Sequence, residues 1–204
     1  HRPNFLIKFF FNFIEISNEN YNHTDNKKFH YLGLYLSLLA KLNIKIETKK
    51  HYLPFIPNSN NIFLNKKYLL FHLDKRWETF PLKVRDNLKR KITSLSYDNK
   101  IVVTSNIGCN NFYNFIKKKL LNSSNIEFYD EPTLNSIISL VYFSETCISS
   151  HSGLIVHTAA AFNKKIIDIV HDEIFNELDR WVPFDTNYKR YNVQNFLDES
   201  FKFA

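Results

Sequence analysis

A chain of 204 residues holds one large or two small domains. With 44% hydrophobic and 16% aromatic residues it is too apolar for a disordered segment and can bury a sizeable core. A formal net charge of +7 suits a phosphate-bearing ligand, nucleic acid or an anionic membrane surface without choosing among them, and the lysine clusters are too short for a basic tail. The two cysteines, Cys109 and Cys147, exclude a disulfide scaffold and show no metal-ligand spacing, so the expected compartment is reducing. No run reaches the ~20 apolar residues of a membrane span, and no signal-peptide pattern opens the chain. The chain starts at His1 and contains no methionine, and a fragment lacking its N-terminal part is therefore expected.

In chain order, residues 5–16 are dense in aromatic and β-branched residues without a breaker and read as one strand or two. Residues 28–42 carry Leu32, Tyr35, Leu36, Leu39 and Leu42 at helical spacing, with Asp25 placed to cap the start. A short strand at 44–46 follows. Residues 51–61, with two prolines and a polar cluster, form the best domain boundary. Beyond it the pattern becomes regular. Strands at 67–73, 100–104, 126–129, 146–148 and 166–170 alternate with helices from Pro81 to about Ser94, at 111–121, 133–143 and 154–162. A polar loop covers 171–187, and an amphipathic helix closes the chain at 193–203 with Val193, Phe196, Leu197 and Phe201 inward. Alternation of this kind predicts an α/β, Rossmann-like parallel sheet with helices on both faces. Its ligand edge is the carboxyl ends of the strands, where the loops 74–80, 105–110, 130–133, 149–153 and 171–180 lie.

The stretch from Thr146 to Val170 organises the rest. A strand enters the turn Ser149-Ser150-His151-Ser152-Gly153, the turn opens a helix of small residues, and a second apolar strand follows. The first amides of that helix lack intrahelical partners and suit an anion, phosphate above all. Gly153 is one of only three glycines, and a residue without Cβ lets a ligand come close to the backbone. Units of this kind also occur with no ligand at all.

The segments SSHSGLIVHTAAAFNKKIIDI, FHLDKRWETFP and FYDEPTLNSIISLVYFSETCIS together resemble the C-terminal half of the ADP-heptose–lipopolysaccharide heptosyltransferase family, glycosyltransferases of the GT-B fold. The first is similar to that family's turn-and-helix signature: an acidic residue, Ser or Thr, Gly, two residues, His, one residue, Ala, then a small-residue helix. The resemblance implies a remnant of the N-terminal acceptor domain with its linker at 1–57, a nucleotide-sugar donor domain at 58–187, and a C-terminal helix at 188–204. It implies that Ser152 and Gly153 offer hydroxyl and backbone donors to the diphosphate and that His157 orients the donor. Lys75 would be the catalytic charge that neutralises phosphate as the sugar bond breaks, with Arg76 beside it. Asp130 would bind ribose or adenine. Where the family has an acidic residue this chain has His151, and neutral imidazole accepts a single hydrogen bond, which leaves the donor sugar open.

Each residue also has a plain structural reading. His157 is equally a hydrogen-bonded core histidine, Lys75 and Arg76 solvated loop charges, Trp77 packing, and Asp130 with Glu131 a capping charge for the helix near Thr133. The expected activity is inverting transfer without metal or cofactor, from a nucleotide-diphosphate sugar to a cell-surface glycan or lipid-linked saccharide. The expected location is the cytoplasm, with peripheral contact to an anionic membrane. A non-catalytic sugar-nucleotide or glycan-binding module is the alternative. Nucleic acid binding has no recognisable motif behind it.

Overall fold

The computed structural model describes residues 67–106, 111–176, 178, 182–183 and 186–201. The elements expected at 5–16, 28–42 and 44–46 and the boundary at 51–61 lie outside the described residues. The chain divides into two compact units, His1–Lys49 with Asn176–Val182, and Lys50–Phe175 with Pro183–Ala204. The elements that follow belong to the second unit.

They run β1 (Leu69–His72), a 3-10 turn (Lys75–Thr79), α1 (Leu82–Leu95), β2 (Ile101–Thr104), α2 (Asn111–Leu120), β3 (Ile126–Tyr129), α3 (Leu134–Phe143), β4 (Thr146–Ser149), α4 (Gly153–Ala161), β5 (Lys165–Val170), a 3-10 turn (Asp172–Ile174), β6 (Tyr188–Asn192) and α5 (Val193–Asp198). The six strands form one parallel sheet in the order β3-β2-β1-β4-β5-β6. From β1 the chain steps outward to β3, then returns to lay β4 on the other side of β1. The strand order reverses there, and in open sheets of this kind a crevice opens beyond that point.

Alternation along each strand sends neighbouring side chains to opposite faces. One face carries Leu69, Phe71, Ile101, Val103, Ile148, Ile167 and Ile169 and is covered by α1, α2 and α5 through Leu88, Ile92, Ile116 and Phe196. The other carries Leu70, Val102, Cys147 and Ile166 and is covered by α3 and α4 through Leu140, Val141, Ile155 and Ala159. Each fully buried aliphatic side chain contributes about 1.5–3 kcal/mol, which is why four-residue strands suffice. Helices thus cover both faces, as the sequence pattern predicts.

Two boundaries differ from expectation. β6 is a strand inside a region read as loop and helix. It lies at the sheet edge and its sequence, Tyr-Lys-Arg-Tyr-Asn, has no apolar run to announce it. Charged residues are the usual protection of an exposed edge. The last helix stops at Asp198 because Glu199 is extended, with φ −65° and ψ 134°. Lys91 Nζ donates to the carbonyls of Leu197 and Glu199, so the helix end is capped by a cation from α1. Phe201 then folds back on Tyr191, with ring centroids 5.5 Å apart.

Candidate functional site

Two loops flank the reversal point between β1 and β4. The first follows β1. Leu73 N–H donates to the Thr104 carbonyl at 2.8 Å, which carries the β1–β2 ladder one residue further. Asp74 then caps the 3-10 turn: its buried carboxylate accepts the Arg76 amide at 2.9 Å and the Arg76 guanidinium at 2.5 Å. Trp77 is fully buried, and its Nε1–H donates to the His72 carbonyl at 3.0 Å. The ring sits beside Phe80 and Phe112 at 5.6 and 6.4 Å. Trp77 is therefore packing, and it fastens the loop so that Lys75 and Arg76 stand exposed on the carboxyl edge.

The second loop joins β4 to α4. Ser150 and Ser152 are buried, and Ser152 occupies the N-cap position without a side-chain capping bond. Gly153 opens the helix and is exposed. A Cβ built on it would meet nothing within 4 Å. Neither packing nor a left-handed backbone requires glycine there, and the space a Cβ would fill is open. His151 is the strained residue of the turn, with φ +47°. The fully buried Asp168 on β5 holds it. Asp168 accepts the His151 amide at 2.6 Å, faces His151 Nδ1 at 2.8 Å and accepts the Tyr188 hydroxyl at 2.7 Å. Arg190 Nε donates to the Tyr188 oxygen at 3.3 Å. Burial beside this carboxylate pushes the Tyr188 hydroxyl far above its ordinary pKa.

Between these loops the strands end in one polar row. Strand register aligns Tyr129, Thr104, His72, Ser149, Asp168 and Arg190 across all six strands, on the face covered by α3 and α4. Both His72 ring nitrogens, Thr104 Oγ1 and Ser149 Oγ are buried without a hydrogen-bond partner. The Asn106 side chain favours the charged form of His72 without making a hydrogen bond of ordinary geometry to it. Burial dominates and lowers the His72 pKa to about 4, so the ring is neutral at pH 7.

The other expected residues fall as follows. His157 lies one turn into α4 and is exposed, which removes the core-histidine reading. Asp130 follows the edge strand β3, with β2 and β1 between it and β4. Its carboxylate accepts from Lys117 Nζ and the Tyr113 hydroxyl, which together hold it below the usual carboxylate range. The start of α3 is capped by Thr133 Oγ1, which accepts the Ser136 amide at 3.2 Å, rather than by Asp130 or Glu131. Asp168, Tyr188 and Arg190 were missed by sequence reasoning. The one available signal was a lone carboxylate inside the apolar strand KIIDIV. Among the described residues, no cluster of three or more His, Cys, Asp or Glu is arranged to hold a metal, and no helix is long and apolar enough to cross a membrane.

An edge with exposed cations on one loop and an open helix N-terminus on the other can hold an anion. No family model matches the chain, and no curated protein sequence does. Its fold is similar to solved glycosyltransferases. A glycosyl transferase family 9 protein from Veillonella parvula DSM 2008 superposes with TM-score 0.60 at 10% identity, over 84% of this chain and 51% of that one. E. coli heptosyltransferase WaaC with ADP-2-deoxy-2-fluoro heptose gives 0.56 at 17% identity, over 81% and 50%. E. coli ADP-heptose lps heptosyltransferase II gives 0.51 at 13%, over 68% and 46%. The chain thus spans about half the length of these structures and has the Rossmann-like α/β fold found in glycosyltransferases of the GT-B type.

Proposed function

We propose that this chain is the donor-binding part of a glycosyltransferase that moves a sugar from a nucleotide-diphosphate donor to a cell-surface glycan or lipid-linked saccharide. The observation that carries the reading is Gly153: a glycine at a helix N-terminus that neither the backbone nor the packing demands, facing open space at the point of strand reversal. The unbonded amides at the start of α4 would cradle the diphosphate, with the Ser152 hydroxyl beside them and His157 on the next turn. Lys75, exposed on the β1 loop, would neutralise the leaving diphosphate as the glycosidic bond breaks, where fixed positive charge is most effective. Arg76, held by Asp74 through Nη1 and otherwise exposed, would stand beside it as a second cation for the donor. The chemistry would be inverting and metal-independent, with the acceptor and its base supplied from outside the described residues. The reading places the protein in the cytoplasm, its net positive charge suited to an anionic membrane surface.

Titration calorimetry with ADP and with UDP tests this on the chain and on Gly153→Trp. A Cβ at Gly153 meets nothing within 4 Å, and the indole would extend from it toward the diphosphate position; an unchanged circular dichroism spectrum checks that the helix persists. At least about a tenfold loss of affinity, roughly 1.4 kcal/mol, is expected. Equal affinity for both proteins sinks the reading. Because His151 stands where the family has an acid, binding without transfer is the second reading. It predicts nucleotide affinity with no consumption of a nucleotide-sugar donor.

A further inference from the structure

We propose that Asp168 is a positioning residue that makes His151 a ligand-facing group of this site, its Nε2 lone pair offered as acceptor to a hydroxyl of a nucleoside diphosphate; the proposal rests on the donor reading above. Asp168 is a carboxylate with no exposure, in the middle of the strand IIDIV. Burying such a charge costs several kcal/mol unless its lone pairs are filled. They are filled by three donors, two of which belong to His151. The carboxylate therefore does two things to one residue.

It accepts the His151 amide and so holds a backbone with φ +47°, a conformation glycine would adopt without strain. It also lies 2.8 Å from Nδ1, and since a carboxylate can only accept, Nδ1 carries the proton. That fixes the tautomer and leaves Nε2 on the far side of the ring. The imidazole is 23% exposed, and no group among the described residues is hydrogen-bonded to Nε2. A turn that needed only its backbone shape would be served by glycine. A histidine held there by its own ring is explained by what the ring presents. Presentation occurs two residues before Gly153, which opens α4, and two residues after Ser149, whose Oγ is buried and unpartnered. Carboxylate-oriented imidazoles are the general means of aiming one ring nitrogen at a ligand.

The test is ring 15N spectroscopy of the full chain with ADP and UDP, joined to nucleotide affinities of Asp168→Asn, His151→Gln and the double variant. Expected are a protonated Nδ1 in the free chain and movement of the Nε2 resonance on adding nucleotide. Each single variant should lose about tenfold in affinity. The double variant should be no weaker than either single, because Asp168 acts through His151. Nucleotide that shifts the Gly153 and Leu154 amides but leaves Nε2 unmoved overturns the proposal while the donor reading stands. Additive losses in the double variant also overturn it, since Asp168 would then act through the fold alone. Silence of the amides and the ring together removes the donor reading and this proposal with it. Should Asp168→Asn not fold, the wild-type spectrum decides: a bare Nδ1 overturns the proposal.

Discussion

The two faces of the sheet are made by the same strands and end differently. On the face toward α1, α2 and α5, apolar packing continues to the carboxyl edge, where Phe71, Leu73 and Trp77 close it. On the face toward α3 and α4, apolar packing stops one residue short, and the last row is hydroxyl, imidazole, hydroxyl and carboxylate. A buried polar atom without a partner costs about 1–3 kcal/mol, and four such atoms sit in that row. A fold selected for stability alone would have continued the aliphatic pattern. The second face gives up stability where the strand order reverses, which is where a local rule is expected to yield to function.

Breaking the apolar face should have the largest effect. Trp77→Ala removes a fully buried ring and the bond that fastens the β1 loop, and a loss of about 3–5 kcal/mol in unfolding free energy by urea denaturation is expected. A loss below about 1 kcal/mol would mean that the loop is not anchored there.

Acid should strike the other face. His72 has a lowered folded-state pKa of about 4, so between that value and its unfolded value near 6.5 the unfolded chain binds a proton the folded chain does not. Stability is then retained above pH 6.5 and lost as pH falls toward 4. The wild type should lose about 2–3 kcal/mol more than His72→Leu between pH 7 and pH 4.5. At pH 7 the variant should be as stable as the wild type or more so, since an unpaired polar ring is replaced by an apolar side chain. Parallel acid curves for the two proteins would contradict the burial of a neutral His72.

The smallest effect belongs to the exposed edge. Lys75→Ala should leave the urea midpoint unchanged and weaken ADP or UDP binding about fivefold, roughly 1 kcal/mol, with the loss shrinking as salt is raised. A nucleotide affinity indifferent to Lys75 would place the diphosphate elsewhere.

Much of the parallel sheet was legible in the sequence because its strands are short apolar runs bounded by turns and its helices carry their apolar residues at helical spacing. The β4 turn was legible for a similar reason: a rare glycine after a run of small polar residues marks a helix start. β6 was not legible, because an edge strand of Tyr, Lys, Arg and Asn gains its identity from pairing with β5, a contact made by the fold. Asp130 was legible as a candidate but not in its position. Its place after a strand made it a candidate, and only the strand order revealed that two strands separate it from β4.

Periodicity and local backbone chemistry suffice for strands β1 to β5, for the helices, for the two-faced packing and for the turn at Gly153. Which side chains meet at the carboxyl edge follows from tertiary packing. Asp168 lies 17 residues from His151 along the chain and 2.8 Å from its ring in space. The polar row joins six strands through register. Register and strand order are collective results of packing both faces at once, and no local stretch of residues encodes them.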